Sequence, residues 1–417
     1  MKRIIIVGAG AAGLAAAVTL KKENPVFAVT VLERASKAGK KILAAGNGRC
    51  NLTNVNAAPQ YYNNPAFLKE FFKTYNYEYI KRFYNGLGLL ICPRDAEGRA
   101  YPVSNTAASV MDVYSAAVKK YSVEIVYNAE VTGLGLPRRC APPLHGRTDR
   151  NDSGYIVKTA DGKEYSCDCV IWAAGSPAGA AAYCHGDGVH ADGERQVFAA
   201  PSGHSAALRV STPSPMTISQ FVKTVPFTPS LCPLPGDKAE LKYLENIRVK
   251  CRVSGLGHTE DGEVQFRKDS LSGIVIFNFA ARLARQRLDE TVLSLDLFPD
   301  TDIKELTGFI HAHNGNLAGL CANGIVKNIS ERGGVDIADL LKNYQFKVYA
   351  NRDFKEAQSA AGGADLSEID SLTFEVKKHK GLYIAGEALD IDGECGGYNL
   401  HFAAASGIAA ALNILNG

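Results

Sequence analysis

Short, mainly apolar stretches alternate with helix-forming stretches at the start of the chain. Residues 2–7 and 27–32 have the β-branched, continuously apolar character of strands that are buried on both faces, and residues 11–22 between them are rich in strong helix formers. This order predicts a βαβ unit with two parallel strands. The same strand pattern returns at residues 382–385, and the Ala-rich stretch 400–415 predicts a helix after it.

The middle of the chain has a different pattern. Residues 63–84 are aromatic-rich with near-helical spacing, residues 87–103 predict short strands and turns, and residues 107–121 predict a helix. Six prolines between residues 213 and 235 interrupt short strand candidates, which favours a compact β-rich module over further βαβ units. Residues 301–344 then predict several short helices.

These patterns predict a chain that leaves one α/β domain and later returns to it. We place the two parts of this domain at residues 1–195 and 359–417. Between them we expect an inserted β-rich domain at 196–300, a helical subdomain at 301–345 and a return strand of the inserted domain at 346–358. The Pro-, Arg- and Asp-rich stretch 137–153 predicts an exposed loop.

The composition indicates which classes of binding partner to expect for this protein. The 46 basic and 43 acidic residues leave a net charge of only +3, so we expect neither nucleic acid nor a membrane surface as the main partner. The ten cysteines include no C-x-x-C pair, which favours free thiols in a reducing cytoplasm and argues against a metal site. We therefore expect a cytoplasmic protein with a small-molecule substrate, and the sequence carries no signal for its oligomeric state.

The most specific motif follows the first predicted strand. Gly8 allows a tight turn, Gly10 lets the main chain approach a pyrophosphate, and Gly13 permits close packing of helix on strand. The helix that begins near Ala11 offers unpaired N–H groups to an anion. Glu33 lies at the end of the second strand, where it is placed to bind an adenosine ribose. Together these features predict a dinucleotide site.

Two further segments favour FAD over NAD as the dinucleotide. The basic, Gly-rich segment 40–51 is suited to binding phosphates and ribityl hydroxyls through main-chain N–H groups, although an ordinary surface turn has the same composition. Far along the chain, the apolar run 381–385 ends at Gly386 and Glu387, followed by a Gly396-Gly397 pair and a predicted helix. A dehydrogenase that binds only NAD has no need of this second half.

The motifs carry a family resemblance. The segments at residues 8–13, 39–54, 98–105, 173–175, 271–273 and 381–407, together with Glu33, resemble the BaiN/YhiN-like family of NAD(P)/FAD-dependent oxidoreductases, which includes aminoacetone-oxidase-like members. The resemblance implies an α/β fold: a glutathione-reductase-type FAD-binding Rossmann domain with an inserted β-barrel-like module and a small helical subdomain. Asn47, Trp172 and the His401-Phe402 pair depart from the pattern that the family usually shows.

The motifs and the resemblance together define the candidate cofactor-binding residues. They are Gly8, Gly10, Ala11, Ala12, Gly13, Glu33, Arg34, Lys40, Lys41, Gly48, Arg49, Cys50, Asn51, Val131, Ala174, Gly175, Gly386, Glu387, Asp392, Gly397, Tyr398, Asn399 and Leu400.

Candidate catalytic residues are fewer. Arg99 and Tyr101 could bind an anionic substrate and relay a proton, although an Arg beside a Tyr is often structural. His401 could move protons near a flavin or could be a hydrogen-bonded helix residue, and both interpretations stay open. Cys50 and Cys395 suggest a redox thiol, while small buried residues are the simpler interpretation.

The leading hypothesis is an FAD-dependent oxidoreductase that transfers a hydride between a small organic substrate and the flavin, with oxygen or NAD(P)H as the second reactant. The sequence holds no second G-x-G-x-x-G behind a strand, so NAD(P)H would be a transient donor at the flavin face. The alternative is a non-catalytic, flavin-bearing redox sensor or interaction protein.

Overall fold

The computed structural model describes residues 1–136, 154–177, 218–332 and 336–417. The predicted loop 137–153 and the predicted boundary at residue 195 lie outside these residues. Up to the first gap the elements are β1 (Arg3–Val7), α1 (Ala11–Glu23), β2 (Ala28–Leu32), α2 (Lys40–Ala44), β3 (Thr53–Asn54), α3 (Pro65–Leu68), α4 (Phe71–Thr74), α5 (Tyr77–Gly86), β4 (Ile91–Pro93), β5 (Arg99–Pro102), α6 (Ala107–Lys120), β6 (Glu124–Val126) and β7 (Val131–Gly135).

The remaining elements follow in three groups. Between the first two gaps lie β8 (Tyr155–Thr159), β9 (Glu164–Cys167) and β10 (Cys169–Trp172). The next group is β11 (Thr224–Ser230), β12 (Leu234–Pro235), β13 (Arg248–Gly255), β14 (His258–Phe266), β15 (Ser270–Ser272), α7 (Ile274–Gln286), β16 (Glu290–Asp296), α8 (Ile303–Ala312) and α9 (Asn323–Arg332). The last is α10 (Ile337–Lys342), β17 (Tyr344–Tyr349), β18 (Ser359–Ala364), β19 (Leu382–Ile384) and α11 (Tyr398–Asn416).

A five-stranded parallel sheet forms the first layer, in the order β19-β10-β1-β2-β6. The side chains of its central strand β1 from Ile4 to Val7 are buried, as a parallel sheet covered on both faces requires. Strand β19 joins β10 in parallel, although more than 200 residues separate the two strands in sequence. The predicted Rossmann-type α/β domain, built from both ends of the chain, is confirmed.

Helices α1 and α11 pack against each other beside this sheet, and their main chains are in close contact. A Cβ atom placed on Gly407 would lie 2.2 Å from the carbonyl oxygen of Ala12. Such an approach is open only to a residue without a side chain, so the small residues of both helices serve packing. The first turn of α1 is thereby fixed against the last helix of the described fold.

The inserted module is a six-stranded antiparallel sheet in the order β12-β15-β14-β13-β16-β17. A bridge between Gly236, just after β12, and Val348 in β17 joins the two edge strands, so the sheet closes into a barrel. Its hydrophobic core, which includes Phe266, Phe279 and Phe346, is distinct from the core around the parallel sheet. The predicted barrel-like module is confirmed, and helices α8, α9 and α10 lie within its sequence.

Two small elements complete the frame of the site. Strands β11 and β18 pair with each other where the chain enters and leaves the barrel. Strands β3, β5 and β4 form a three-stranded sheet in which Thr53 pairs with Ala100. The exact domain boundaries stay a prediction.

Candidate functional site

The loop between β1 and α1 is tightly packed at two of its glycines and has open space beside the third, Gly10. Gly8 has a φ of +102°, and a Cβ atom there would lie 2.4 Å from the Ala173 carbonyl oxygen. A Cβ atom on Gly13 would lie 1.9 Å from the Gly8 oxygen, whereas one on Gly10 would meet nothing within 4 Å. The open space therefore lies directly before the first turn of α1, whose N–H groups and dipole favour an anion such as a pyrophosphate.

Glu33 fixes this loop to the end of β2. One carboxylate oxygen accepts a hydrogen bond from the Ala9 N–H at 2.7 Å, and the other accepts one from the Ala35 N–H at 2.8 Å. The carboxylate is only partly buried and keeps free lone pairs for a ligand hydroxyl. Arg34, the next residue, is also partly exposed. Ribose binding by Glu33 stays a prediction.

The second predicted segment lies beside the C-terminal strand, across the end of the sheet. Lys41 forms an ion pair with Glu387 and donates to the Ser176 hydroxyl at 3.3 Å. Residues from α2, from the turn after β10 and from the turn after β19 are thus brought together. Glu387 also accepts a hydrogen bond from the Ala360 N–H at 3.0 Å, so its two oxygens are already engaged.

The loop that follows α2 has the geometry expected of a ligand-binding turn. Asn47 has a φ of 54°, the left-handed conformation that Asn tolerates better than other side chains, so its substitution for Gly is accommodated. The Oδ1 atom of Asn51 is buried and has no hydrogen-bond partner. A buried acceptor without a donor indicates a place for a ligand group.

The C-terminal turn closes against this loop. Gly397 precedes α11 with a φ of +94°, and a Cβ atom there would lie 2.5 Å from the Thr53 carbonyl oxygen and 2.6 Å from Asn51 Oδ1. The Asn399 side chain accepts from the Gly393 N–H at 2.8 Å and donates to the Gly393 oxygen at 2.9 Å. The two halves of the predicted site therefore meet at the start of α11.

The other predicted cofactor residues lie around this frame. Ala11 and Ala12 are buried in the first turn of α1, Val131 is buried in β7, and Lys40 begins α2. Ala174 and Gly175 follow β10, and Gly48 and Arg49 are exposed in the loop after α2. At the other half, Gly386 follows β19, the ring of Tyr398 stacks on Tyr61 with centroids 4.6 Å apart, and Leu400 lies in the first turn of α11.

Asp392 lies at the contact between the C-terminal segment and the barrel. Its side chain is fully buried, and the Arg285 guanidinium from α7 binds both of its carboxylate oxygens at 3.0–3.2 Å. Ser230 donates a further hydrogen bond to this carboxylate at 3.0 Å. Because a buried carboxylate must be paired, this residue joins the barrel module to the C-terminal segment, and its contact with a cofactor stays a prediction.

Both ring nitrogens of His401 have hydrogen-bond partners. The ring is fully buried, with Nε2 facing the Tyr75 carbonyl oxygen at 2.9 Å and Nδ1 facing the Thr53 hydroxyl at 2.7 Å. Nε2 therefore donates and Nδ1 accepts, which uses both nitrogens of a neutral ring. Burial lowers the pKa of His401 to about 4. The geometry favours the hydrogen-bonded helix residue, and a catalytic role of His401 stays a prediction.

Both cysteines near the site are held as thiols. Burial raises the pKa of Cys50 to about 12 and that of Cys395 to about 11. A thiolate is the reactive species, so burial disfavours redox chemistry at both residues at neutral pH.

Arg99 and Tyr101 lie together at a surface cavity of about 290 Å³. The Arg99 guanidinium donates to Asp95 at 2.7 Å and to Glu97 at 3.1 Å, which offsets much of its charge. Arg49 lies over the Tyr101 ring, 5.3 Å from its centroid. Burial raises the pKa of Tyr101, so its phenol is a hydrogen-bond donor at neutral pH. Both residues stay candidates for substrate binding.

A polar set in the barrel was not found from the sequence. Asn278 donates to Glu260 at 2.8 Å and accepts from the Cys395 N–H at 2.7 Å. Arg282 donates to Glu394 at 2.7 Å. The spacing held a signal, since residues 278 and 282 share one face of a helix and residues 258 and 260 share one face of a strand. Only the fold shows that these faces meet the C-terminal turn.

The parallel sheet and the open glycine loop define a Rossmann-type dinucleotide-binding protein. The family model described as HI0933-like protein Rossmann domain matches residues 2–413, and the chain belongs to this family. A 3-dehydro-bile acid delta(4,6)-reductase of Clostridium scindens is 27% identical, with 98% of each chain covered. A ribosomal RNA dihydrouridine synthase of Haemophilus influenzae is 25% identical, again with 98% of each chain covered.

Among solved structures, 3-ketosteroid delta1-dehydrogenase from Sterolibacterium denitrificans aligns over 100% of both chains with 13% identity and a TM-score of 0.49. The predicted class, an enzyme of the FAD-dependent oxidoreductase type, is confirmed by the family. The expectation against nucleic acid stays a prediction, because one relative is named for an RNA substrate. No helix in the described part of the chain is long and apolar enough to cross a membrane.

Proposed function

We propose that this enzyme reduces a carbon–carbon double bond conjugated to a carbonyl group in a small organic substrate. The observation that carries the proposal is the position of the turn at residues 393–398. This turn contacts the loop at residues 51–54 on one side and the polar face of the barrel on the other. A substrate bound against the turn would therefore lie between a dinucleotide site and polar side chains of the barrel.

The names of the two relatives support the reaction class. One acts on delta(4,6) bonds of a 3-oxo bile acid, and the other forms dihydrouridine. Both names describe the saturation of a ring double bond that is conjugated to a carbonyl group. Both relatives align with this chain over nearly its whole length.

The residues present fit FAD. The open space at Gly10 suits a pyrophosphate, and the unpartnered Asn51 Oδ1 suits a hydroxyl or N–H donor near the start of α11. Bound FAD would supply the hydride transfer. The chain would hold the dinucleotide through the loop at residues 8–13, Glu33 and the loop at residues 46–51.

The other residues would position the substrate. Tyr101 is a neutral phenol that can donate to a carbonyl oxygen, and the Arg99 guanidinium beside it offers further N–H donors although its charge is largely offset by Asp95 and Glu97. Polarisation of the carbonyl group makes the conjugated double bond accept a hydride more readily.

The test separates the two half-reactions. The purified protein is mixed anaerobically with NADH or NADPH, and flavin bleaching is followed by absorbance. The reduced protein is then mixed with a 4-ene-3-oxo steroid, a uridine-containing RNA, a simple ketone or oxygen. We expect a nicotinamide to bleach the flavin and a conjugated enone to reoxidise it faster than oxygen does.

Two outcomes would contradict the proposal. Bleaching by an amine, with oxygen as the best oxidant, would define an oxidase instead. Reoxidation by the RNA and not by the steroid would keep the reaction class and replace the small-molecule substrate by a nucleic acid.

A further inference from the structure

Two polar side chains of the barrel helix α7, Asn278 and Arg282, contact the C-terminal turn, and Asn278 also holds Glu260 of β14. His258 and Glu260 lie two residues apart on β14, and their strand neighbour β13 presents Gly255 and Val253 opposite them. Asn278 and Arg282 lie four residues apart on α7. Asn278 holds Glu260 Oε1 at 2.8 Å and the Cys395 N–H at 2.7 Å, so Glu260 is tied to the turn through one side chain.

Two atoms of this set have no partner. Glu260 Oε2 and Arg282 Nε are buried and form no hydrogen bond. His258 Nε2 lies 3.6 Å from Glu260 Oε2, which is beyond a hydrogen bond. Buried polar atoms nearly always have a hydrogen-bond partner. Two buried atoms without one, beside a predicted substrate site, therefore indicate a place for substrate atoms.

Asp392 provides an internal comparison. It lies in the same C-terminal segment and contacts the same barrel helix, yet both of its oxygens are bound by Arg285 and Ser230. A carboxylate that serves only to join the two modules is therefore fully satisfied in this structure. Glu260 keeps one oxygen free, which a purely structural role does not explain.

We infer that Glu260 is a catalytic residue that donates the proton to the substrate carbon during reduction of the double bond. The inference rests on the proposed function. Reduction of a polarised C=C bond adds a hydride to one carbon and a proton to the other. In the proton step the O–H bond of Glu260 breaks, a C–H bond forms with the electron pair of the former double bond, and a carboxylate remains. Solvent returns the proton.

The charges around Glu260 are compatible with this role. The pKa of Glu260 is raised to about 7, mainly by burial and also by Glu394, while the Asn278 hydrogen bond and Arg282 oppose the rise. His258 faces it from its own strand, and burial and Arg282 lower the pKa of that ring. The C-terminal segment presents Cys395 and Tyr398, whose pKa values are raised by burial, so both are neutral.

The experiment compares wild-type protein with the E260Q and E263Q variants. Glutamine keeps the acceptor for Asn278 but carries no acidic proton. Glu263 lies on the same strand, is 48% exposed and contacts Arg248 at 3.5 Å, so it is a matched control. Flavin reduction by NAD(P)H is followed first, and reoxidation by the enone second.

We expect E260Q to bleach at the wild-type rate and to reoxidise about 10²- to 10⁴-fold more slowly, the usual contribution of a general acid. The normal first step shows that the variant is folded and loaded. E263Q should match the wild type in both steps. Equal reoxidation rates for E260Q and wild type would overturn the inference and leave the proposed function intact. No reoxidation of the wild type by any enone would overturn both.

A second readout does not depend on the flavin. Infrared difference spectra of the apoprotein between pH 5.5 and 8.5 report protonated carboxyl groups. A carboxylic acid band that titrates near pH 7 in wild type and E263Q, and is lost in E260Q, would support the inference. Absence of such a band from the wild type would overturn it, because Glu260 would then carry no proton at neutral pH.

Discussion

The buried ion pair between Arg285 and Asp392 should be a main determinant of how firmly the barrel is joined to the Rossmann domain. Arg285 also donates to the Asp392 main-chain oxygen at 2.7 Å. Replacement of Arg285 by Met keeps most of the side-chain volume and removes every one of these bonds. Asp392, which is fully buried, is then left with Ser230 as its side-chain donor.

The expected cost follows from burial. Removing one partner of a buried ion pair costs about 3–5 kcal/mol, because an uncompensated charge remains. A matched control is Arg252→Met. Arg252 also forms a two-bond pair with an aspartate, Asp261, but the two side chains are 41% and 60% exposed. Loss of an exposed pair costs about 0.2–1 kcal/mol, so the decrease in the free energy of unfolding should be several-fold larger for Arg285→Met than for Arg252→Met.

The effect should depend on pH. Burial already raises the pKa of Asp392 above its ordinary value, and loss of Arg285 removes the charge that opposes this rise. At Asp392 the folded variant then binds more protons than the unfolded chain, in which the pKa of an Asp is about 3.9. The stability of the variant therefore falls as the pH rises. The destabilisation by Arg285→Met should be larger at pH 8 than at pH 5.

Urea denaturation at both pH values would measure this. Trp172 is the single tryptophan of the chain and lies buried in β10, so its fluorescence reports on the parallel sheet. Circular dichroism gives a second probe, and coincident curves would justify a two-state analysis. The reasoning is refuted if Arg285→Met loses no more stability than Arg252→Met, or if its loss is the same at pH 5 and pH 8.

Three other substitutions test separate parts of the site. Gly10→Val should weaken FAD binding by at least about tenfold, or ~1.4 kcal/mol, without loss of fold, since a side chain there meets only open space. The flavin absorbance of the purified protein checks this. Gly319→Val is the control, because a side chain at Gly319 also meets only open space. Gly13→Ala should prevent folding, visible as loss of soluble protein, because its Cβ would overlap the Gly8 oxygen. His401→Gln should leave the pH profile of turnover unchanged. The pKa of His401 is about 6.5 in the unfolded chain and about 4 in the folded protein, so the stability of the wild type should fall below pH 6.5 by up to about 1.4 kcal/mol per pH unit. Urea denaturation curves should show a smaller fall in the variant.

The parts of the fold that local sequence determines were predictable. The β-branched run of β1, the glycine loop and the Ala-rich α11 each depend on residues that are close together in the chain. The structure of the aromatic stretch at residues 63–84 was harder to predict. Pro65 begins one short helix and Asn76 caps another, so the stretch forms three short helices.

The site residues that were missed depend on contacts between distant parts of the chain. Glu260 and Cys395 are both held by Asn278, which no spacing rule connects to either of them. Asp392 was assigned to the cofactor because it follows a cofactor motif, and its partner Arg285 lies 107 residues away. Proximity in sequence indicated the right region but could not show which carboxylate was paired.

The pairing of β19 with β10 and the contact of α11 with α1 have a consequence for biosynthesis. A ribosome releases the barrel, with its own core between residues 232 and 360, before it releases the strand and helix that complete the parallel sheet. Until then β10 has an unpaired edge and the apolar face of α1 is uncovered, which are conditions that favour association with other chains. Nascent protein should therefore depend on protection by chaperones until residues 382–416 emerge, and cofactor uptake becomes a marker that this segment has been released from the ribosome.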